Sequence, residues 1–389
     1  MNLQRVQQKL ILLGLIIVPF ISLGELIALF AGRLSSQSSN LTGVFKFSKD
    51  LIFVSSILIG LVDYLIRDRL NRKILIYLGL VILLVVPSIL FSFGNEIIYL
   101  AAGLRWLIPL LLPIFIYRIL DDKFLKKFFL YVYYLLILHL FIQILQLFFA
   151  GSWYGVSSYG LNLRNPGLFL IPNTGAFFTI SALYVCLYLA GFSIQRKRLV
   201  IIISMLSVFL TLSGTGLIVF ITILGFYFFN RSQLKWYILI FPFGLMFIYL
   251  FVMFLNTRDA NYISESGGTR LTIFVENFME SSLISTDFGY GTNSAVLLGK
   301  GEIMDSTFAS LVVNLGYFGF FMILALIFIA ILYAGITKDK MLFVFLIVFT
   351  LFSFTTIISE VYPVNLIFGV LMVYFLQKDG DLIYLPERA

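Results

Sequence analysis

The chain's 389 residues are 61% hydrophobic and only 12% charged, with a mean hydropathy of +1.04 and a formal charge of +8. A soluble domain carries about 25% charged residues, so a soluble fold is excluded: lipid must be the solvent for most of these side chains. Nor does the charge point to nucleic acid, because the lysines and arginines fall in short segments between apolar runs. One cysteine, Cys186, and one histidine, His139, exclude an intrachain disulfide and a zinc site built from those residue types.

A membrane span needs about 20 apolar residues, fewer where protein shields the segment. In chain order the sequence offers about twelve: 10–31, 50–66, 74–93, 97–117, 128–150, 172–194, 199–212, 215–229, 236–255, 306–335, 341–357 and 364–376. The first run is too long for the apolar stretch of a cleaved signal, and no small-residue cleavage pattern follows it. The runs 199–212 and 215–229 are short and broken at Ser213-Gly214-Thr215-Gly216. That break predicts a hairpin dipping into protein, because open backbone at membrane depth must be shielded from lipid. The run 306–335 exceeds what a bilayer needs and predicts tilt or an extension beyond it. The expected fold is all-α, a single polytopic membrane domain over residues 1–389.

Placing the N-terminus in the cytoplasm puts 19 of the 27 lysines and arginines on the cytoplasmic side, so both termini are expected inside. Seven fall outside (Arg33, Lys46, Lys49, Arg164, Arg258, Arg270 and Lys300), and Arg105 lies within a span. Two outer connections are long, 151–171 and 256–305, and the second is the only long polar stretch in the chain. Loops of that length in an otherwise short-looped bundle tend to be functional. Between Leu271 and Met279 the apolar positions recur at helical spacing, which predicts a short helix near the membrane surface.

Arginines outside the membrane are the first chemical clue. Arg164 sits in Leu163-Arg164-Asn165-Pro166-Gly167-Leu168-Phe169, Arg270 follows Gly267-Gly268-Thr269, and Arg258 opens the long loop. A guanidinium fork suits diphosphate oxygens, although a lipid headgroup or a loop carboxylate would satisfy it too. Arg105 lies inside an apolar run, where an arginine costs roughly 2.5–3.5 kcal/mol unless it meets a partner or a cavity. It serves a ligand, pairs with a carboxylate such as Glu96, Asp305 or Glu360, or snorkels to the outer interface. Asp305 opens the run 306–335 and reads as a general base, a sugar-hydroxyl anchor or a helix N-cap. Glu276, in the expected surface helix, is a competing carboxylate, and Glu360 is another. His139 and Gln143, one helical turn apart, fit an interhelical hydrogen bond better than a ligand site. Glu25 and Asp63 are intramembrane acids suited to a proton path or to pairing within the bundle. No phosphate-binding Gly-Lys-Ser/Thr loop or dinucleotide fingerprint is present, so the energy for any reaction comes with the substrate or from a gradient.

Several segments resemble, in order, the short motifs of the O-antigen polymerase and ligase superfamily, the Wzy-type polymerases and their lipopolysaccharide-ligase relatives. These are Arg164-Asn165-Pro166-Gly167-Leu168-Phe169 with Pro172-Asn173, then Thr211-Leu212-Ser213-Gly214, then Gly268-Thr269-Arg270. Phe288-Gly289-Tyr290-Gly291, Asp305-Ser306 and Leu315-Gly316-Tyr317-Phe318-Gly319 follow, so the resemblance covers roughly residues 95–335. The family's Leu-Ser-Arg-Gly motif lacks its arginine here. The resemblance implies a metal-independent glycosyltransferase of GT-C-like helical architecture, without cofactor, in the bacterial inner membrane with its active site periplasmic. It implies donor and acceptor oligosaccharides carried on undecaprenyl diphosphate, and a chain-length regulator protein as a partner. On this reading Asp305, Glu276 and Arg270 are catalytic, and Arg164, Arg270, Arg105 and Arg258 hold the diphosphate. Ligase relatives carry a histidine near the position of Met304 and Asp305; its absence here favours a polymerase. The alternatives are a ligase and a flippase of lipid-linked oligosaccharide, although a flippase has no need of a 50-residue outer loop.

Overall fold

Apolar chain in lipid can satisfy its backbone only within helices or closed barrels. The computed structural model describes residues 3–30, 39–67, 72–153, 165–169, 171–229, 272–293, 295 and 306–378, and these are mostly helical with no strand among them. In order they form α1 (Leu3–Phe30), α2 (Ser39–Arg67), α3 (Arg72–Phe91), α4 (Ile97–Ile116), α5 (Asp122–Trp153) and α6 (Pro172–Tyr184), which a π turn extends over Val185–Leu189. Next come α7 (Ile194–Thr211), α8 (Gly214–Phe229), the short α9 (272–280), α10 (Thr307–Ile336), α11 (Lys340–Ser353) and α12 (Val364–Lys378). Among the described residues, five segments are long and apolar enough to cross a membrane: Leu3–Gly24, Arg72–Phe91, Ile97–Ile119, Asp122–Phe148 and Thr307–Ile336. α8, α11 and α12 are shorter and apolar. The sequence-predicted span 236–255 lies outside the described residues.

The most buried helix is α6. Every residue from Gly175 to Leu187 is buried, because α5, α7, α8 and α12 all pack on it. A second core joins α3, α4 and the first part of α10 around Trp106, Phe288 and Phe308. Leu65, Leu90, Phe91, Phe321 and Phe328 face outward on α2, α3 and α10, which suits a lipid-facing surface.

The two ends of the bundle differ in chemistry. At the basic end Arg118 meets Asp63 at 3.7 Å and lies 4.4 Å over the Tyr64 ring, while Lys378 meets Asp339 at 2.6 Å. There Lys73 also donates to the Leu376 carbonyl at 2.9 Å. The opposite end, here the loop end, gathers the non-helical segments described below.

The long run 306–335 is a broken helix. Gly316 sits at φ 73° and ψ −173° in the middle of α10, outside the helical region and open to glycine without strain. Residues 281–285 fill the break: Tyr317 N donates to the Ser282 carbonyl (3.1 Å), Phe318 N to the Leu283 carbonyl (3.0 Å), and the Ser281 and Ser285 hydroxyls bond the Val312 and Val313 carbonyls. An alanine Cβ at 316 would lie 2.7 Å from the Ser282 carbonyl oxygen. The long run is thus broken at Gly316, with residues 281–285 seated in the break.

The α7–α8 junction turns at the predicted break, where its residues are buried or half-buried. Leu212 ends α7 in the left-handed region (φ 48°, ψ 40°), and Thr211 and Ser213 beside it are 0% and 5% exposed.

Candidate functional site

The loop end is built from two peptides that leave the helical pattern, 165–169 and 281–293. The second runs from the α10 break across the start of α4. Phe288 N donates to the Ser92 hydroxyl (2.9 Å), and Phe288 itself is fully buried against Gly103. Gly289 adopts φ 102°, and a Cβ there would fall 1.9 Å from the Tyr99 carbonyl oxygen, so only glycine fits. Tyr290 stacks on Tyr99 with ring centroids 4.6 Å apart. Asn314 of α10, itself 0% exposed, closes on the same peptide from both sides: its Oδ1 accepts from Gly289 N (2.8 Å) and its Nδ2 donates to the Gly291 carbonyl (3.2 Å). The Ser310 hydroxyl donates to that carbonyl too, and Asn293 N donates to Glu360 Oε2 at 3.0 Å.

Residues 165–169 are all buried and run beside α5 as far as His139. Counted from Trp153 at the helix end, that is about 21 Å along α5 at 1.5 Å per residue. The Gln146 carboxamide accepts from Gly167 N and donates to the Gly167 carbonyl, both at 2.8 Å. Gln143 Nε2 donates to the carbonyls of Asn165 (3.1 Å) and Ser207 (3.3 Å), and Asn165 N donates to the Leu210 carbonyl at 2.8 Å. The re-entrant peptide thereby joins the α7–α8 tip. Leu168 N donates to His139 Nδ1 at 3.2 Å, so the neutral imidazole carries its proton on Nε2.

Among the described residues, His139 Nε2, Gln143 Oε1, both carboxamide atoms of Asn165 and the Ser204 hydroxyl are buried without a hydrogen-bond partner. Each such group costs ~1–3 kcal/mol.

The sequence-predicted site residues fare unequally. Arg164, Arg258, Arg270 and Asp305 lie outside the described residues. Glu276 is on α9, which begins one residue after the expected start, and its side chain is exposed. Arg105 pairs with Asp50 of α2, Nε to Oδ2 at 2.8 Å, with the two side chains 37% and 29% exposed. Asp50 is a carboxylate that the sequence did not single out. The 288–291 peptide packs on Gly103, two positions before Arg105. Asp63 pairs with Arg118, as the bundle-pairing reading expects, and Glu360 holds the Asn293 backbone. The cap of α10 is Ser306, whose hydroxyl accepts from Phe308 N (3.2 Å) and Ala309 N (3.4 Å). Burial pushes the Tyr362 phenol at this end well above the ordinary tyrosine range and keeps it neutral.

Sequence reasoning passed over Gln146, Ser310, Asn314 and Asp50. A signal existed for the first three. His139, Gln143 and Gln146 recur at intervals of four and three along one apolar run, and Ser310 and Asn314 at four along another, so each set shares a helix face. Asp50 gave none, because pairing between helices remote in sequence has no local pattern. No group of three His, Cys, Asp or Glu side chains is placed to hold a metal among the described residues. Comparison with protein-family models, with curated proteins and with solved structures finds no match to this chain.

Proposed function

We propose that the chain is a polytopic glycosyltransferase of the bacterial inner membrane that joins oligosaccharide repeats carried on undecaprenyl diphosphate. In this reading it has about twelve spans and a GT-C-like helical bundle, with the basic end and both termini in the cytoplasm and the loop end in the periplasm. The observation that carries the reading is the meeting of motif segments far apart in sequence. The Phe288–Gly291 peptide is clasped by Asn314, while residues 281–285 fill the break at Gly316. The Asn165–Phe169 peptide is bound into the core at the same end. An apolar groove between α9 and α10, lined by Phe278, Leu283, Phe318 and Phe321, offers a lipid tail a surface beside that loop.

The chemistry needs little from the protein beyond charge and placement. The donor's anomeric carbon–oxygen bond to diphosphate breaks as an acceptor hydroxyl attacks from the opposite face, and the carbon inverts. Arg164, Arg258 and Arg270 hold the departing diphosphate, and Asp305 or Glu276 accepts the hydroxyl proton. Arg105, paired with Asp50, completes the charge of that end. Losing one charge-assisted contact to a developing anion costs ~10²–10³ in rate. Arg164→Ala and Arg270→Ala should therefore nearly abolish polymer at normal protein levels, while the lysine variants retain a little because they keep charge without the fork. Wild-type glycan lengths in cells carrying either alanine variant would remove the diphosphate clamp.

A further inference from the structure

The two peptides of the loop end are held by the same device. Gln146 brackets Gly167 through both carboxamide atoms, at 2.8 Å each. Asn314 brackets the 289–291 peptide at 2.8 and 3.2 Å. Both side chains are buried, at 1% and 0% exposure, and both are carried by helices rather than by the loops they hold. A carboxamide fits because it offers a donor and an acceptor in one plane, matching the N–H and C=O of the chain it grips. Around Gln146 the fold also tolerates unpartnered polar atoms on His139, Gln143, Asn165 and Ser204. A bundle selected for stability alone would place apolar side chains there. Violations of that kind are concentrated where a structure is held for function.

We propose that Gln146 and Asn314 are positioning residues: each fixes the buried backbone it brackets, Gly167 in one case and the 289–291 peptide in the other. The inference rests on the polymerase reading for its catalytic consequence, and on geometry alone for the clamps. Neither residue touches substrate. Each acts through the backbone it holds, and misplacement of reacting groups by about 1 Å can cost ~10² in rate.

The test uses full-length protein in nanodiscs with a lipid-linked repeat as substrate, comparing wild type, Gln146→Leu, Asn314→Leu and a control, Phe124→Leu, which loosens the core at the basic end. Each clamp variant should lower kcat about tenfold or more per folded molecule with KM changed less than threefold. The control should lower Tm and leave kcat alone. A second arm follows amide hydrogen exchange, where Gly167 should lose protection in Gln146→Leu and Gly289 in Asn314→Leu. Unchanged kcat in both clamp variants, or losses that track Tm across all three, would overturn the positioning role. Unchanged exchange at both glycines would overturn the clamps themselves. A wild-type protein inert towards the substrate would sink the polymerase reading and the catalytic consequence with it, leaving the exchange arm to decide the clamps.

Discussion

Arg105 is the residue at which sequence and structure part most instructively. An arginine eight positions into an apolar helix must have company, and that much can be read from its neighbours. Its company is Asp50 on α2, a residue no local pattern connects to it. Because both side chains keep about a third of their exposure, the pair is worth only ~0–1 kcal/mol by itself. Removing one partner takes away the charge that the other meets at 2.8 Å. Arg105→Met and Asp50→Asn should each lower the melting temperature, and the double variant should lose less than the sum. Strict additivity in such a cycle would mean that the two charges do not support each other.

Asp305 tells a related story. Ser306 caps α10, and Asn caps a helix as well as Asp does, so Asp305→Asn separates chemistry from helix stability. Asp305→Asn should therefore reduce chain growth steeply while leaving Tm unchanged, and full activity would pass the base role to Glu276. Ser285 is a warning in the other direction. In sequence it is an unremarkable polar loop residue, yet it is 3% exposed because its hydroxyl is spent on the α10 break.

Among elements, α10 exposes the limit of reading helices from hydropathy. Residues 306–335 form one apolar run because both halves are apolar; nothing in that average marks a break. The local signals are Gly316 and the polar Ser310 and Asn314, which face the incoming loop and not lipid. The α7–α8 tip was legible because glycines and serine interrupt the run, and the 272–280 helix because its periodicity is strong. The path of residues 165–169 was not, since a re-entrant peptide depends on hydrogen bonds from helices remote in sequence. Gly316→Ala should force residues 282–285 out of the break. Its mark would be faster amide exchange at Tyr317 and Phe318, whose N–H groups bond Ser282 and Leu283. Protection equal to wild type would mean that the break does not need the loop. Gly289→Ala should cost more than ~1 kcal/mol, because a side chain is forced into a positive-φ position against the Tyr99 carbonyl.

For the whole molecule, composition alone dictated a helical membrane protein, and the described residues supply five helices of the required length and apolarity. The proposed orientation rests on where basic residues gather, with Lys73, Arg118 and Lys378 sharing one end of the bundle. Cys186 is buried, so a single added cysteine can report sidedness. From the periplasm, an impermeant maleimide should label Thr286→Cys, which is exposed at the loop end, and should miss Lys123→Cys at the basic end. The reverse pattern would invert the protein in the membrane and move the proposed chemistry to the wrong compartment.

The central claim is that the loop end joins one lipid-linked repeat to another. The direct measurement gives purified protein an undecaprenyl-diphosphate-linked repeat unit and no other acceptor, then resolves the products by length. The account predicts a ladder of lengthened glycans still attached to the carrier, with undecaprenyl diphosphate released at each step. Single repeats that never lengthen, or transfer that begins only when lipid A core is supplied, would contradict it.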